Sequence, residues 1–318
     1  MRKMIVVCVL SALTLGSAAV AFAAPVTLSL GTASLGGNFF TMGAAMASVF
    51  TDTLGYRVTA QATGGSAANL DGIHEGELDL GMSQAMTVTS AVKGTEQFAG
   101  TPFSDLRTLV NYSATPIHFL VRSGKGIKGM QDLMGRKVEC LSPGDGIEIT
   151  TKKFAAFYGM PADSVKLEYS GNRVQAASRL KTLQLDAVQD ATGLRAAWMT
   201  DVIGDGSNWE LISIPEEDIA RMCEMYPEFS RMVIPANTYK GQTEDVVTVG
   251  FWTVLLAGEG LDDDVAYNLV KALYENKETL VQAHNFFKDL EPENIQSGCA
   301  APVHEGAARY YREIGALK

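Results

Sequence analysis

Cysteine is scarce in this chain: there are four among 318 residues. Cys8 falls in a segment read below as a leader, which leaves Cys140, Cys223 and Cys299. An odd number without any CxxC excludes a disulfide framework and a zinc signature. One bridge at most can form, and buried thiols are the expected state. Histidine lacks pattern as well as number. His74, His118, His284 and His304 are scattered, with no HExxH and no close pair, so no metal is expected and each is read as a surface or capping residue. Positive charge is also short, with 26 basic residues against 36 acidic and a formal charge of −10. No cluster of Lys and Arg exists, which argues against nucleic acid as a partner. Beyond the first residues no segment reaches the ~18 uninterrupted apolar residues of a membrane-spanning helix. Catalytic motifs are missing too. Gly31 to Gly37 begins like a phosphate loop, but Asn38-Phe39 stands where Lys-Ser/Thr belongs. Gly65-Ser66-Ala67 lacks the flanks of a nucleophile elbow. The carboxylates keep no catalytic spacing, so no catalytic residue and no cofactor is assigned.

What is present is core-forming material. The chain is 47% hydrophobic and 19% charged, too apolar for a disordered protein and long enough for two domains of ordinary size. Arg2 and Lys3, the apolar stretch Met4 to Leu15 and Ala21-Phe22-Ala23 have the form of a secretory leader, with cleavage expected after Ala23, or otherwise after Ala24. Loss of two basic residues leaves 24 against the 36 acidic ones, a mature charge of −12. A soluble, exported, periplasmic product is expected.

One order of elements occurs twice. In the first copy Val26 to Gly31 is a strand, followed by a Gly-rich loop and a helix over Phe39 to Thr53. Arg57 to Gln61 is a second strand, Thr63-Gly64-Gly65-Ser66 opens a short helix closed by Glu75-Gly76, and Leu78 to Met82 is a third strand. In the second copy Lys137 to Leu141 is a strand, Ile147 to Tyr158 a helix, Val165 to Tyr169 a strand, Asn172 to Leu183 a helix and Leu185 to Gln189 a strand. Strand centres Thr59 and Leu80 lie 21 residues apart, as do Leu167 and Val188, and both third strands carry Leu-Asp. A βαβαβ unit makes a parallel sheet with right-handed crossovers, and ligands bind beyond the carboxyl ends of its strands. Two such sheets with facing loop edges enclose a cleft; one continuous doubly wound sheet satisfies the same spacing. A further strand over Val246 to Leu256 and helices over Asp264 to His284 and Glu305 to Ile314 are expected to complete the first lobe. The chain is thus divided into a leader (1–23), the first part of lobe I (24–115), lobe II (116–232) and a hinge return that completes lobe I (233–318). The lobes are crossed near Tyr112 to Phe119 and Val233 to Val249.

The candidate binding residues gather at the strand ends. Gly36, Gly37, Gly64 and Gly65 let a ligand approach the backbone. Ser34, Asn38, Thr63, Ser66, Ser83 and Gln84 add neutral donors and acceptors beside helix N-termini that suit anions. Each is by itself an ordinary cap; their convergence on one edge is the signal. Asp145-Gly146-Ile147-Glu148 has the form of a capping box, which alone explains Asp145 and Glu148. The functional alternative sets Asp145 in the cleft as an acceptor for a ligand amine or hydroxyl. Arg173 and Arg195 stand near second-lobe strand ends, available to a carboxylate or to solvent. Phe39 and Phe40 either wall the pocket or join the core.

The run Gly31 to Phe40 and the run Gln61 to Leu70 resemble the TAXI family of solute receptors, which serve tripartite ATP-independent periplasmic (TRAP) transporters. Further matches are Gly135 to Val138 leading to Pro143-Gly144, Leu185 to Ala187, Ile234 to Gln242, His304 to Ala307 and Arg309 to Glu313. The resemblance implies a two-lobed α/β periplasmic-binding fold, type II-like, with parallel-type sheets either side of a ligand cleft. It implies a receptor that is no enzyme, closes on a small amino acid or carboxylate such as glutamate, glutamine or 2-oxoglutarate, and delivers it to a membrane permease. A monomer without cofactor is expected. Carried over, the ligand shell comprises the Ser34 to Phe39 loop, including Gly37 and Asn38, Thr63 to Ser66, Ser83-Gln84, the Gly144 to Gly146 loop, and Asp190 to Thr192. Three positions depart from the pattern. Phe39 and Phe40 replace aromatic hydroxyls, Asp145 stands in a loop that usually reads Gly-Ser-Gly, and Arg195 stands where proline is common. A negative charge at an anion-binding helix start costs a second carboxylate about 0.3–1 kcal/mol, which favours an amino acid or a more polar acid. A secreted enzyme or a sensor partner on the same scaffold is the alternative.

Overall fold

The computed structural model describes residues 25–318 apart from Ser34, Gly36, Gly37, Ser142, Gly144, Asp145 and Asp205. The leader, Cys8 and the site candidates Ser34, Gly37 and Asp145 therefore lie outside the described residues.

The first repeat runs β1 (Thr27–Gly31), α1 (Asn38–Leu54), β2 (Arg57–Gln61), α2 (Ser66–His74) and β3 (Leu80–Gln84). A helix α3 (Ala85–Lys93) leaves β3 directly, and β4 (Leu106–Arg122) is a single long strand. The second repeat is β5 (Lys137–Glu139), α4 (Gly146–Phe157), β6 (Lys166–Glu168), α5 (Arg173–Lys181) and β7 (Ala187–Ala191). After it come α6 (Ala197–Ile203), β8 (Trp209–Leu211), α7 (Glu216–Met225), β9 (Ser230–Ile234) and the long β10 (Val246–Gly258). Helices α8 (Asp263–Glu275), α9 (Lys277–Ala283) and α10 (Glu305–Glu313) end the chain.

The two repeats have one topology. β1 lies between β2 and β3 with parallel pairing, and β5 lies between β6 and β7 in the same way. The shared Leu-Asp has a shared purpose. The Asp79 carboxylate accepts from the backbone N–H of Ser29 on β1 at 2.7 Å, and the Asp186 carboxylate accepts from the N–H of Lys137 on β5 at 3.0 Å. In both copies Leu78 or Leu185 is buried beside it.

The sheet is mixed rather than purely parallel. β4 and β10 run antiparallel through both halves, and the hydrogen-bonded order is β2-β1-β3-β10-β4-β7-β5-β6. β4 pairs with β10 as far as Pro116 and with β7 from Ile117 onward. β10 pairs with β9 up to Gly250 and with β3 from Thr253. Both strands change partner at one level, where the halves meet. Close approach there requires glycine: a Cβ on Gly250 would stand 2.3 Å from the Thr115 carbonyl oxygen. The return crossing thus falls within β10, just beyond the Val233 to Val249 stretch expected from sequence.

One buried cluster runs through both halves, from Leu70, Ile73 and Val88 to Val138, Phe154 and Ile219, and each half adds a cluster of its own. Met42, Met46 and Phe50 of α1 bury against Leu28 and Leu30 of β1 and Leu269 and Leu273 of α8, with Tyr311 closing the layer. In the other half Leu180 of α5, Val188 of β7, Met199 of α6 and Trp209 of β8 form a compact cluster. Among the described residues Cys140, Cys223 and Cys299 form no disulfide. Asp262, from the acidic run Asp262-Asp263-Asp264, caps α8 by accepting from Asp264 and Val265. Among the described residues no helix is long and apolar enough to cross a membrane.

Candidate functional site

The carboxyl ends of the two repeats face one another across a solvent-open cleft of about 580 Å³. Asn38 and Phe39 at the start of α1, Gly65 and Ser66 at the start of α2, and Gln84 at the end of β3 line it from one side. Arg173, Ala191, Thr192, Gly193 and Trp198 line it from the other. Thr115 of β4 and Thr253 of β10 belong to the lining where the strands cross, and Phe286 also reaches it.

A buried amide holds the first rim in shape. Asn69 is inaccessible to solvent. Its Nδ2 donates to the carbonyl oxygens of Thr32 and Met82, each at 2.7 Å. Its Oδ1 accepts from the Thr63 hydroxyl at 2.7 Å. One side chain therefore ties the ends of β1 and β3 to the loop that starts α2. Gly31 makes room for it, since a Cβ there would stand 2.5 Å from Asn69 Oδ1. The Thr63 hydroxyl also lies 3.0 Å from the Thr32 carbonyl and accepts from the Gly65 N–H at 3.1 Å. The Ser66 hydroxyl accepts from the Gln84 N–H at 3.2 Å. No side chain caps α2 at Gly65 or α3 at Gln84, so unpaired first-turn N–H groups lie beside this rim, where partial positive charge favours an anion.

The second rim carries a formal charge. Arg173 donates through Nε and Nη2 to the carboxylate of Asp190, at 3.0–3.2 Å. Asp190 is buried, and the Arg173 side chain is about half exposed, 47%. The guanidinium carbon also lies 5.8 Å from the centroid of the Trp198 ring. Asp190 fixes the fork from behind and Trp198 supports its plane. The two Nη1 donors take no part in the Asp190 bonds. Behind this rim Glu139, wholly buried, accepts from the N–H groups of Leu141 and Ser170 at 3.0 and 3.1 Å and from the Ser170 hydroxyl at 2.6 Å. Arg179 stands 3.9 Å from its carboxylate.

Beneath the crossing lies a neutral histidine. His118 is fully buried. Its Nδ1 is 3.1 Å from the Pro116 carbonyl, which can only accept, so Nδ1 carries the proton. Nε2 then accepts from the Tyr239 hydroxyl at 2.8 Å, and that hydroxyl accepts from the Arg195 N–H at 3.1 Å. Burial lowers the His118 pKa to about 4, opposed by backbone hydrogen bonds at Pro116 and Asp190. Burial likewise pushes Tyr239 up to about 12.

Six expected site residues share the cleft: Asn38, Phe39, Gly65, Ser66, Gln84 and Thr192. Four others stand outside its lining. Thr63 spends its hydroxyl on the Asn69 clasp, Ser83 is buried, Asp190 is buried behind Arg173, and Gly146 is the exposed first residue of α4. Of the two arginines, Arg173 enters the cleft, whereas Arg195 lines a separate outer depression with Asn237 to Gly241. Glu148, the other half of the capping-box motif, is buried and ion-paired with Lys152. The histidine expectation needs one correction. His284 and His304 do cap helical turns, and His74 pairs with Asp105, but His118 is a core residue. Trp198, Phe286, Thr115 and Thr253 were not anticipated. Thr253 lies in a strand foreseen from sequence, where period-two alternation offered the one available hint. Among the described residues no group of three or more His, Cys, Asp or Glu side chains is placed to hold a metal ion.

Residues 30–315 match the NMT1-like family. Among solved structures, the chain is similar to a TctC solute binding protein from Polaromonas, with TM-score 0.59 and 13% identity over 92% of this chain and 98% of that one. It is also similar to MatC from Rhodopseudomonas palustris with bound malate, with TM-score 0.51 and 16% identity over 91% of this chain and 96% of that one. XAC2383 from Xanthomonas citri bound to ATP gives TM-score 0.51 and 12% identity over the same shares. At these identities the likeness is one of fold, that of the bilobal periplasmic solute-binding proteins.

Proposed function

The chain belongs to the NMT1-like family, and from that footing we propose that it is a periplasmic solute receptor that captures a small carboxylate or amino acid and hands it to a TRAP-type membrane permease. A leader cleaved after Ala23 brings it to the periplasm. The ligand is of the glutamate, glutamine or 2-oxoglutarate kind. The hinge is the pair of strands β4 and β10, dividing lobe I, 24–115 with the chain after Gly250, from lobe II between Pro116 and Gly250, so that the return lies later than the expected 233.

One observation carries this reading. The described lining of the cleft has a single charged side chain, Arg173, held by a buried carboxylate and facing a rim of uncapped helix starts. A carboxylate placed between them meets a guanidinium on one side and N–H dipoles on the other. Lobe closure removes water from those contacts and strengthens them. Phe39, Met42, Trp198 and Phe286 supply apolar wall for the ligand's carbon chain. The remaining polar lining is neutral, which suits one carboxylate better than two and agrees with an amino acid or a monoanionic acid.

Calorimetry on protein stripped of bound ligand, against glutamate, 2-oxoglutarate and a neutral amino acid, tests this. One of them is expected to bind one per chain and to be recovered unchanged. Arg173→Met is expected to weaken the carboxylate ligand by about 10- to 100-fold, the worth of a charged hydrogen bond, with Arg173→Lys retaining part of the affinity. An affinity indifferent to Arg173, or chemical conversion of the bound compound, defeats the reading.

A further inference from the structure

A second cavity, of about 210 Å³, lies behind the floor of the cleft. Successive side chains of a strand point to opposite faces, and here that alternation separates the two spaces. Thr115 and Thr253 line the cleft, whereas their neighbours Ala114, Pro116 and Trp252 line the rear cavity. The cavity therefore lies across the crossing strands from the cleft. Both halves of the molecule wall it, Pro116, Met232 and Val233 from one and Trp252, Lys288 and Asp289 from the other. Phe286, packed over Gly193, is shared with the cleft.

Its chemistry is apolar with two opposite charges left over. Trp252 and Met232 are buried, and the indole N–H of Trp252 is a buried donor without a partner. The Arg231 guanidinium at the rim is committed to Glu216 through Nε and Nη2 at 2.7–3.2 Å. Lys288 and Asp289 remain, one cation and one anion. Asp289 accepts from the Ala114 N–H through Oδ2 at 3.2 Å, and burial raises its pKa above the ordinary value against the opposing pull of that N–H and of Lys288 and Lys277. A simple acid leaves the Asp289 carboxylate facing the ligand unmatched, and a simple amine does the same to Lys288.

We propose that this rear cavity binds an apolar α-amino acid of about leucine size, its carboxylate on Lys288, its ammonium on Asp289 and its side chain against Trp252, Met232 and Val233. The volume equals roughly seven waters at ~30 Å³ each. A consequence, which rests on the solute-receptor reading, follows from position. Rotation that closes the front cleft widens a space behind the hinge strands. A ligand fitted to the rear cavity opposes closure and weakens the front solute by about fivefold.

The test is calorimetry of L-leucine with the full chain, alongside 4-methylpentanoate, which lacks the ammonium, and 3-methylbutylamine, which lacks the carboxylate. Leucine is expected to saturate one site and to bind equally well to Arg173→Met, which disables the front cleft. Asp289→Asn keeps an oxygen for the Ala114 N–H, so an unchanged melting temperature is expected, with leucine weakened about tenfold and 4-methylpentanoate unchanged or tighter. Lys288→Met is expected to weaken leucine by the same factor while sparing 3-methylbutylamine. Absence of saturation by about 10 mM, loss of leucine binding in Arg173→Met, or indifference to both rear substitutions overturns the proposal. Leucine binding is read without any front solute, so it stands or falls separately from the receptor reading.

Discussion

His118 shows what a single residue costs at this level of burial. Its folded-state pKa of about 4 lies below the ordinary value of 6.5, so between those values the unfolded chain takes up a proton that the native protein refuses. Stability is therefore whole above about pH 6.5 and declines as pH falls toward 4, by on the order of 3 kcal/mol from this group. Burial lowers His284 and His304 in the same sense. Thermal melts from pH 7.5 to 4 are expected to show this decline, with a shallower slope in His118→Gln; an equal slope removes His118 from the account. Nothing in the sequence set His118 apart from the other histidines, because burial is a property of the β4 crossing and not of a motif. The same holds for the arginines. Arg173 and Arg195 were equivalent candidates beside strand ends, and only the buried Asp190 and the Trp198 face select Arg173. Arg195 takes a left-handed backbone, φ 60°, and turns to the Asn237 to Gly241 loop.

At the scale of elements, the βαβαβ units were legible because each strand is a short apolar run and each loop carries Gly, Ser or Asn punctuation. β2 spans the residues expected, and most other edges shift by one to three residues. What escaped has a physical cause. β4 carries Asn111, Ser113 and Pro116, which interrupt an apolar strand pattern, yet Asn111 is buried and donates to the carbonyls of Asn294 and Ser297 at 2.7 and 2.8 Å. α3 leaves β3 with no capping side chain and no breaker between them, so no start signal exists. The helical tail expected over Asp264 to His284 is two helices, divided at Asn276. Asn69 illustrates how an element edge is secured from inside. Asn69→Ala removes the amide donor from the Thr32 and Met82 carbonyls and leaves the Thr63 hydroxyl only the Thr32 carbonyl as acceptor, in a dry site. A loss of about 2–4 kcal/mol is expected in urea unfolding, accompanied by weaker solute binding as the first rim loosens. A neutral result refutes the clasp.

For the whole molecule, two long strands and one cleft define the motion to be looked for. Bending at the level where β4 and β10 exchange partners brings the two rims together, and small-angle scattering is expected to show a smaller radius of gyration once the cleft ligand is bound. Unchanged dimensions remove hinge closure from the mechanism. Local pattern by itself determined the paired units, the spacing of their strands and the gathering of glycines and small polar residues at the strand ends, since hydrophobic period and turn chemistry act over a few residues. Only the tertiary structure decided which charges line the cleft, which hydroxyls are consumed in holding the rims, and that Phe286 from the chain's last quarter closes a wall first built at Asn38. Those outcomes depend on contacts between residues far apart in sequence, and no local signal encodes them.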